Sequence, residues 1–407
     1  MPPTMKHIAI LSTDLIAGPA KFIPEIIPNT ICQLKSLNIP YMSLSIYSLS
    51  SLSQSCPFLK TLYFGGCSDG SPRNIAAADL EFPNLKNLYV RNIPDELLLK
   101  LTDSRNLSFL HLDCANPETL TSQNCPFLQE LCFDGCCDAN PRKIGSADLK
   151  FPNLQSLWVR NISDELLFAL TNSENLEKLD LRSTKPETLS KLAIVCPNLL
   201  TLGCRIRMDS ISMDCFTDIF RISFPRLKSG SIELYVTRWE ESRDLALPVP
   251  ENLLCSNLRS LCIESKDYLE IPPRLGLSFS GLLYSITRLC FVVWRYIQCE
   301  LVCPALEELE LLCVNFTGDD AGLRVGPFLR SLTIEDPTNC AHGKIYLEVN
   351  ISPNLSHLSL TIPLDETPIP FVTNINPCPN LKSVVLLIES TDSLNSDPIL
   401  LEFGRDL

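Results

Sequence analysis

CPFLKTLYFGGCSDGSPRNIAAADLEFPNLKNLYVRNIPDELLLKLTDSRNLSFLHLDCANPETL (56–120) returns as CPFLQELCFDGCCDANPRKIGSADLKFPNLQSLWVRNISDELLFALTNSENLEKLDLRSTKPETL (125–189), an offset of 69 residues. Each copy holds three smaller units written L-x-x-L-x-φ, where φ is apolar. A period of this kind marks a repeat architecture, in which one supersecondary unit buries its apolar face only against its neighbours. The chain therefore has to be read unit by unit.

The opening aliphatic residue of successive units falls at Leu34, Leu59, Leu85, Leu107, Leu128, Leu154, Leu176, Leu199, Leu227, Leu258, Ile286, Leu306, Leu329, Leu355 and Leu381. The fourteen gaps between them run from 20 to 31 residues. Within LKTLYF the apolar Leu62 and Phe64 alternate with Thr61, Tyr63 and Gly65, the period of a strand with one buried face. Ten units carry Pro two residues before the opening position, which suits a strand entrance where no N–H is needed by the ladder. DELLLKL (95–101) and DELLFAL (164–170) put acidic residues in what reads as a helix first turn, favourable against the dipole. The expectation is an α/β leucine-rich-repeat solenoid, curved, with a parallel sheet on the concave face and helices or irregular segments outside. Its units would fill 32–389, about 14–15 of them. Residues 1–31 and 390–407 read as terminal caps, and 208–258 as a stretch of irregular spacing.

The 407 residues carry a net charge of −13, which argues against nucleic acid or an anionic membrane as a general partner. No apolar run is long enough for a membrane-spanning helix. Nineteen cysteines are an odd number in a long chain. Cys56, Cys125, Cys196, Cys303 and Cys378 recur three residues before an opening Leu, so they read as buried thiols of a cytoplasmic or nuclear protein. Sequons begin at Asn106, Asn161, Asn315, Asn350 and Asn354, a number that chance supplies.

CPFLKTLYFGGC, CPFLQELCFDGC, CPNLLTLGC, CPALEELELLC and CPNLKSVVLLI resemble the cysteine-containing repeats of the F-box/leucine-rich-repeat family, ribonuclease-inhibitor-like in fold. NIPDELLLKL and NISDELLFAL resemble that family's strand-to-helix segment. The resemblance implies protein recognition, and a substrate-recognition role in an SCF-type ubiquitin ligase with an Skp1-like adaptor. FIPEIIPNTICQL (22–34) is similar to the start of an F-box but runs straight into the first repeat, so no recognisable F-box is read. The alternative reading is a sensor fragment of an immune or pathogen-recognition receptor.

Nothing in the motifs points to catalysis or a cofactor. No phosphate-binding loop, dinucleotide fingerprint or H-E-x-x-H occurs, and His7, His111, His342 and His357 are scattered. Cys132, Cys136 and Cys137, or Cys299 with Cys303, lack paired metal-ligand spacing. Glu307, Glu308 and Glu310 read as a solvated strand face. The expected role is therefore non-enzymatic, with no metal. The better signal is combinatorial. One column of outward positions reads Tyr63, Tyr89, His111, Cys132, Trp158, Asp180, and the next Gly65, Arg91, Asp113, Asp134, Arg160, Arg182, Arg205. Tyr63, Tyr89, Arg91, His111, Trp158, Arg160, Arg182 and Arg205 are the candidate partner-binding residues, aromatics and arginines being the types that dominate protein interfaces. Later strands put Cys262, Cys290, Glu310, Thr333, Ser359 and Val385 in the equivalent column.

Overall fold

The opening leucine of each unit governs the architecture of the computed structural model. The structure describes residues 6–9, 33–113, 125–135, 149, 151–208, 222, 224–236, 258–265, 285–297, 300–303, 305–316, 322–325, 328–335, 354–363, 380–389 and 399–404. Fourteen of the fifteen opening positions, Leu34 through Leu355, are at most 4% exposed, and Leu381 is half-buried. Each fully buried Leu is worth roughly 1.5–3 kcal/mol. A stack of them outweighs any single polar contact at the surface.

A tight turn delivers each leucine. The amide of Leu59 donates to the Cys56 carbonyl at 3.1 Å, and Leu85, Leu107, Leu128, Leu154, Leu176, Leu199 and Leu227 repeat the bond to the third residue before. That bond makes the recurrent proline the second residue of a β-turn, where its fixed φ is pre-set and its missing N–H costs nothing. Cys56, Cys125, Cys196, Phe82, Phe151 and Phe224 supply six of the eight accepting carbonyls, Ser104 and Ser173 the other two, and all eight are themselves buried, so one turn fills two core positions. Desolvation pushes the thiols of Cys125 and Cys196 up to about 12 and 11 respectively.

Two compact units divide the chain, Met1–Arg182 with Ile194–Leu199, and Ser183–Ala193 with Leu200–Leu407. In the first, β1 (His7–Ala9), β2 (Ser36–Leu44), β3 (Thr61–Cys67), β4 (Asn87–Arg91), β5 (Phe109–Asp113), β6 (Glu130–Asp134), β7 (Ser156–Arg160) and β8 (Lys178–Thr184) pair in chain order, all parallel. Helices return the chain: α1 (Ile46–Ser55), α2 (Pro72–Ala77), α3 (Asp95–Thr102) and α4 (Asp164–Thr171). The last two are the predicted DELLLKL and DELLFAL segments. A further helix, α5 (Pro186–Val195), and the end of β8 straddle the division between units.

The second unit continues the same rule with more departures. β9 (Thr201–Met208), β10 (Ser229–Val236), β11 (Leu258–Ser265), β12 (Arg288–Ile297), β14 (Glu308–Phe316), β16 (Ser331–Glu335), β17 (His357–Pro363) and β18 (Ser383–Glu389) form a parallel ladder. β19 (Ile399–Gly404) pairs antiparallel with β18, a reversal the parallel reading did not anticipate. β13 (Glu300–Cys303) and β15 (Gly322–Val325) make a separate two-stranded ladder where helices or irregular segments were expected. The register slips at Gly230/Ser231, so that Glu233 faces Arg205 on one side and Cys262 on the other. Much of the irregular 208–258 stretch and most of both terminal caps lie outside the described residues.

An asparagine ladder ties successive turns together. The side-chain amides of Asn84, Asn106, Asn153 and Asn175 donate to the carbonyls of Pro57, Pro83, Pro126 and Pro152 at 2.6–2.8 Å. Asn198 does the same to Glu174 at 2.9 Å. Asn106 also opens a sequon, and its amide nitrogen is already engaged here. Phe127 and Phe58 take the asparagine's place in their units and stand more than half exposed beside buried Leu128 and Leu59.

That contrast predicts a large difference between adjacent residues. Leu128→Ala is expected to lower stability by about 2–5 kcal/mol, and Phe127→Ala by about 0.5 kcal/mol or less, both read by denaturant unfolding. The buried thiols give a second test: alkylation of the native protein near pH 8 leaves Cys125 and Cys196 unmodified. Because the unfolded thiols ionise near 9.0 and the folded ones do not, stability falls as pH rises above that value. Replacing both by Ala is expected to shrink this alkaline loss, measured as the change in Tm.

Candidate recognition surface

The first unit's ladder fixes which side chains share the exposed face of its sheet. Successive Cα partners are Tyr63, Tyr89, His111, Cys132, Trp158 and Asp180, the column read from the sequence. Beside it Arg91, Asp113, Asp134, Arg160 and Arg182 pair in the same way. The inward residues between the columns, Val90, Leu112, Phe133, Val159 and Leu181, are buried, so alternation alone sends the columns outward.

The first column is a stacked aromatic row. Tyr63 and Tyr89 have ring centroids 5.1 Å apart, Tyr89 and His111 5.8 Å, and Phe109 adds a contact to Tyr89 at 4.7 Å. His111 and Trp158 sit 6.3 Å apart although β6 lies between them, because that strand contributes the small Cys132 at this level. Tilted pairs at these distances are worth about 0.5–1.5 kcal/mol beyond their burial. Burial in the row raises the Tyr89 phenol and pushes the Cys132 thiol up to about 11, with Glu130 and Asp180 adding to the latter. Desolvation also lowers the His111 imidazole, against the opposing pull of Asp113 and Asp134.

The arginines are placed differently from one another. Arg91 Nε meets Asp113 Oδ2 at 2.8 Å, whereas Arg160 and Asp134 approach only to 3.6 Å. Desolvation raises the Asp134 carboxyl despite Arg160, His111 and a hydrogen bond from Asn161. The Arg182 guanidinium lies over the Trp158 ring, 5.3 Å from its centroid. Exposed ion pairs contribute about 0.2–1 kcal/mol and exposed cation–π contacts about 0.5–1 kcal/mol. These pairs hold the guanidiniums in place through weak, individually replaceable contacts.

Arg205 belongs to the second unit. Its Nε donates to Glu233 Oε2 at 2.6 Å, and its guanidinium lies 4.9 Å from the centre of the Tyr235 ring. The Cα partners that follow Glu233 are Cys262, Cys290, Glu310, Thr333, Ser359 and Val385. The sequence put these six in one column, as found, but in the one equivalent to Tyr63 rather than the one holding Arg205, and the slip at Gly230/Ser231 brings the two into line. Glu308 and Glu310 lie 3.6 Å from Arg288, and Glu307 the same distance from Arg330, a solvated charged face. Cys136, Cys137, Cys299 and His342 lie outside the described residues, and among the described ones no three His, Cys, Asp or Glu come together as a metal site.

The internal duplication separates the two sides of this sheet. Across the 69-residue offset all nine inward positions match: Leu59/Leu128, Leu62/Leu131, Phe64/Phe133, Leu85/Leu154, Leu88/Leu157, Val90/Val159, Leu107/Leu176, Leu110/Leu179 and Leu112/Leu181. The outward pairs are Tyr63/Cys132, Tyr89/Trp158, His111/Asp180, Gly65/Asp134, Arg91/Arg160 and Asp113/Arg182, and only the two arginines agree. Two asparagines one offset apart, Asn92 and Asn161, are equivalent positions held at φ of 52° and 53°. Asparagine tolerates that left-handed conformation better than most residues. The Asn161 carbonyl would lie 2.4 Å from a Cβ placed on Gly135, which is why glycine stands there.

No family model and no curated protein matches the sequence. Among solved structures, the chain is similar to a leucine-rich-repeat protein of Leptospira interrogans at 14% identity and a TM-score of 0.32, over 88% of this chain and 94% of that one. The ladder, turns and leucine stack described above give each of the two units a leucine-rich-repeat fold.

His111 gives the surface a measurable acid response. The unfolded chain takes up the imidazole proton first as pH falls, so the stability present above about 6.5 is lost as pH drops through the lower folded value. The drop in Tm between about pH 7.5 and 5.5 is expected to be smaller in His111→Gln than in the parent chain.

Proposed function

We propose that this chain is a non-enzymatic protein-recognition scaffold whose binding surface is the exposed sheet face of the first unit. Stacked repeats that share one parallel sheet present their outward side chains as a continuous surface, and such surfaces are used for binding. The observation that carries the reading is the registered aromatic row Tyr63, Tyr89, His111 and Trp158, bordered by Arg91, Arg160 and Arg182. Rigid aromatic rings lose little entropy when covered, and guanidinium forks pair with carboxylates in a bidentate geometry. A protein segment with apolar side chains flanked by acidic ones fits both. Trp158 and Arg160 are the central anchors, since Arg160 has the looser ion pair. Arg205, beside Glu233 and Tyr235, is a further contact candidate on the second unit's own face.

The finer readings, an SCF-type substrate receptor with an Skp1-like adaptor or an immune-type sensor fragment, rest on the resemblance in the sequence. Affinity purification of the tagged chain from its native cells, followed by mass spectrometry, separates the ligase reading from the others. Recovery of an Skp1-like adaptor and cullin supports the ligase reading, and a partner without them supports a plain scaffold. The Trp158→Ala/Arg160→Ala double variant is expected to keep its unfolding transition and lose the partner by tenfold or more, a change of about 1.4 kcal/mol. Undiminished capture by the folded variant would overturn this surface as the binding site.

A further inference from the structure

In the second unit, β11 and β12 run parallel with the Cα of Cys262 opposite that of Cys290. Side chains at such partner positions leave the same face of the sheet side by side, on strands about 4.8 Å apart. A disulfide needs a Cα separation of roughly 4.4–6.8 Å with the Cβ vectors not diverging, and the spacing of adjacent strands falls within that range. The two thiols are free and hydrogen-bond to each other. Cys290 is 7% exposed and Cys262 half-buried, so Cys262 is the more accessible of the two residues. This is the one place among the described residues where two cysteines are strand partners. Cys132 faces His111 and Trp158, Cys204 faces Ile232, and Cys67 faces Leu44.

We propose that Cys262 and Cys290 form a dithiol site that a hydroperoxide oxidises to a disulfide linking two successive repeats. The Cys262 thiolate attacks one oxygen of hydrogen peroxide, forming an S–O bond as the O–O bond breaks, and the departing hydroxide leaves as water with a proton. The Cys290 sulfur, giving up its proton, then attacks the Cys262 sulfenic sulfur, and the S–O bond breaks to release a second water. Two thiols lose two electrons and one peroxide becomes two waters.

The surroundings decide the order of events. Burial opposes a negative Cys262 sulfur, and so do its strand partner Glu233, Glu264 two residues along the same strand and Glu310, the strand partner of Cys290. The hydrogen bond from Cys290 outweighs them and lowers the Cys262 thiol, while that same bond raises Cys290, the proton-holding partner. Arg205 on Glu233 and Arg288 on Glu310 offset two of the three carboxylates. Cys262 is also the more exposed of the two, so it is the sulfur that reaches a peroxide and attacks, with Cys290 beside it as the resolving one.

The test exposes the full, reduced chain to limiting hydrogen peroxide and maps its cysteines by peptide mass spectrometry without reduction. The expected first product is the Cys262–Cys290 disulfide, reversed by dithiothreitol. Cys262→Ser leaves Cys290 a free thiol, and Cys290→Ser leaves a Cys262 sulfenic acid that dimedone captures. Over-oxidation of Cys262 with Cys290 still reduced, a first disulfide elsewhere, or silence of both thiols would each overturn the proposal. Phenylarsine oxide, which needs two adjacent thiols, provides a measurement on the unsubstituted protein. It is expected to protect Cys262 and Cys290 together from alkylation, and failure to protect both counts against the pair.

Discussion

Everything in this protein depends on one constraint, the in-register parallel pairing of each strand with the strand of the preceding repeat. A single unit of about 25 residues cannot bury its leucines alone, and its ordering entropy of about 1–2 kcal/mol per residue would go unmet. Pairing satisfies the strand amides and at the same time places Leu62 beside Leu88 and Leu88 beside Leu110. The turns, the proline positions and the asparagine ladder all serve to bring the next strand in at the same height. Lys86 and Asn87, for example, both donate to the Lys60 carbonyl as β4 enters.

Polar atoms inside the stack follow the same repeat logic. Thr102 and Thr171, one offset apart, are fully buried. Thr102 bonds back to the Leu98 carbonyl at 2.9 Å, and Cys196 reaches the Thr171 carbonyl at 3.8 Å. Ser104 and Ser173 donate to the carbonyls of Leu85 and Leu154, each at 3.1 Å. A buried hydroxyl without a partner costs about 1–3 kcal/mol, so these serines and threonines are placed where a neighbouring turn has a carbonyl to offer. The duplicated helices differ at one cap: Ser163 accepts the Leu166 amide, while Pro94 in the equivalent place has no side-chain acceptor.

Much of this was legible from the residues because period-2 alternation and a fixed leucine spacing have one physical solution. The outward columns of the first unit follow directly from L-x-x-L-x-φ, and so do six rungs of the second. What stayed hidden depends on geometry between repeats rather than within one. The role of Asn84 or Asn153 is invisible until the preceding turn's carbonyl is brought within reach. The positive φ of Asn92 and Asn161, the slip at Gly230, the antiparallel β19 and the β13–β15 ladder arise from crowding or chain return that no local pattern encodes. The thiol contact between Cys262 and Cys290 looked dull as a column of letters and became chemistry only when two strands lay side by side.

The duplication has a consequence for how such a molecule changes over time. Its inward leucines are identical between copies and its outward side chains are nearly all different, so copying a block of three repeats hands on a finished interior together with a blank exterior. The new outer residues can be rewritten one at a time without disturbing what holds the block in place. Stability is inherited whole, and recognition is left open to revision.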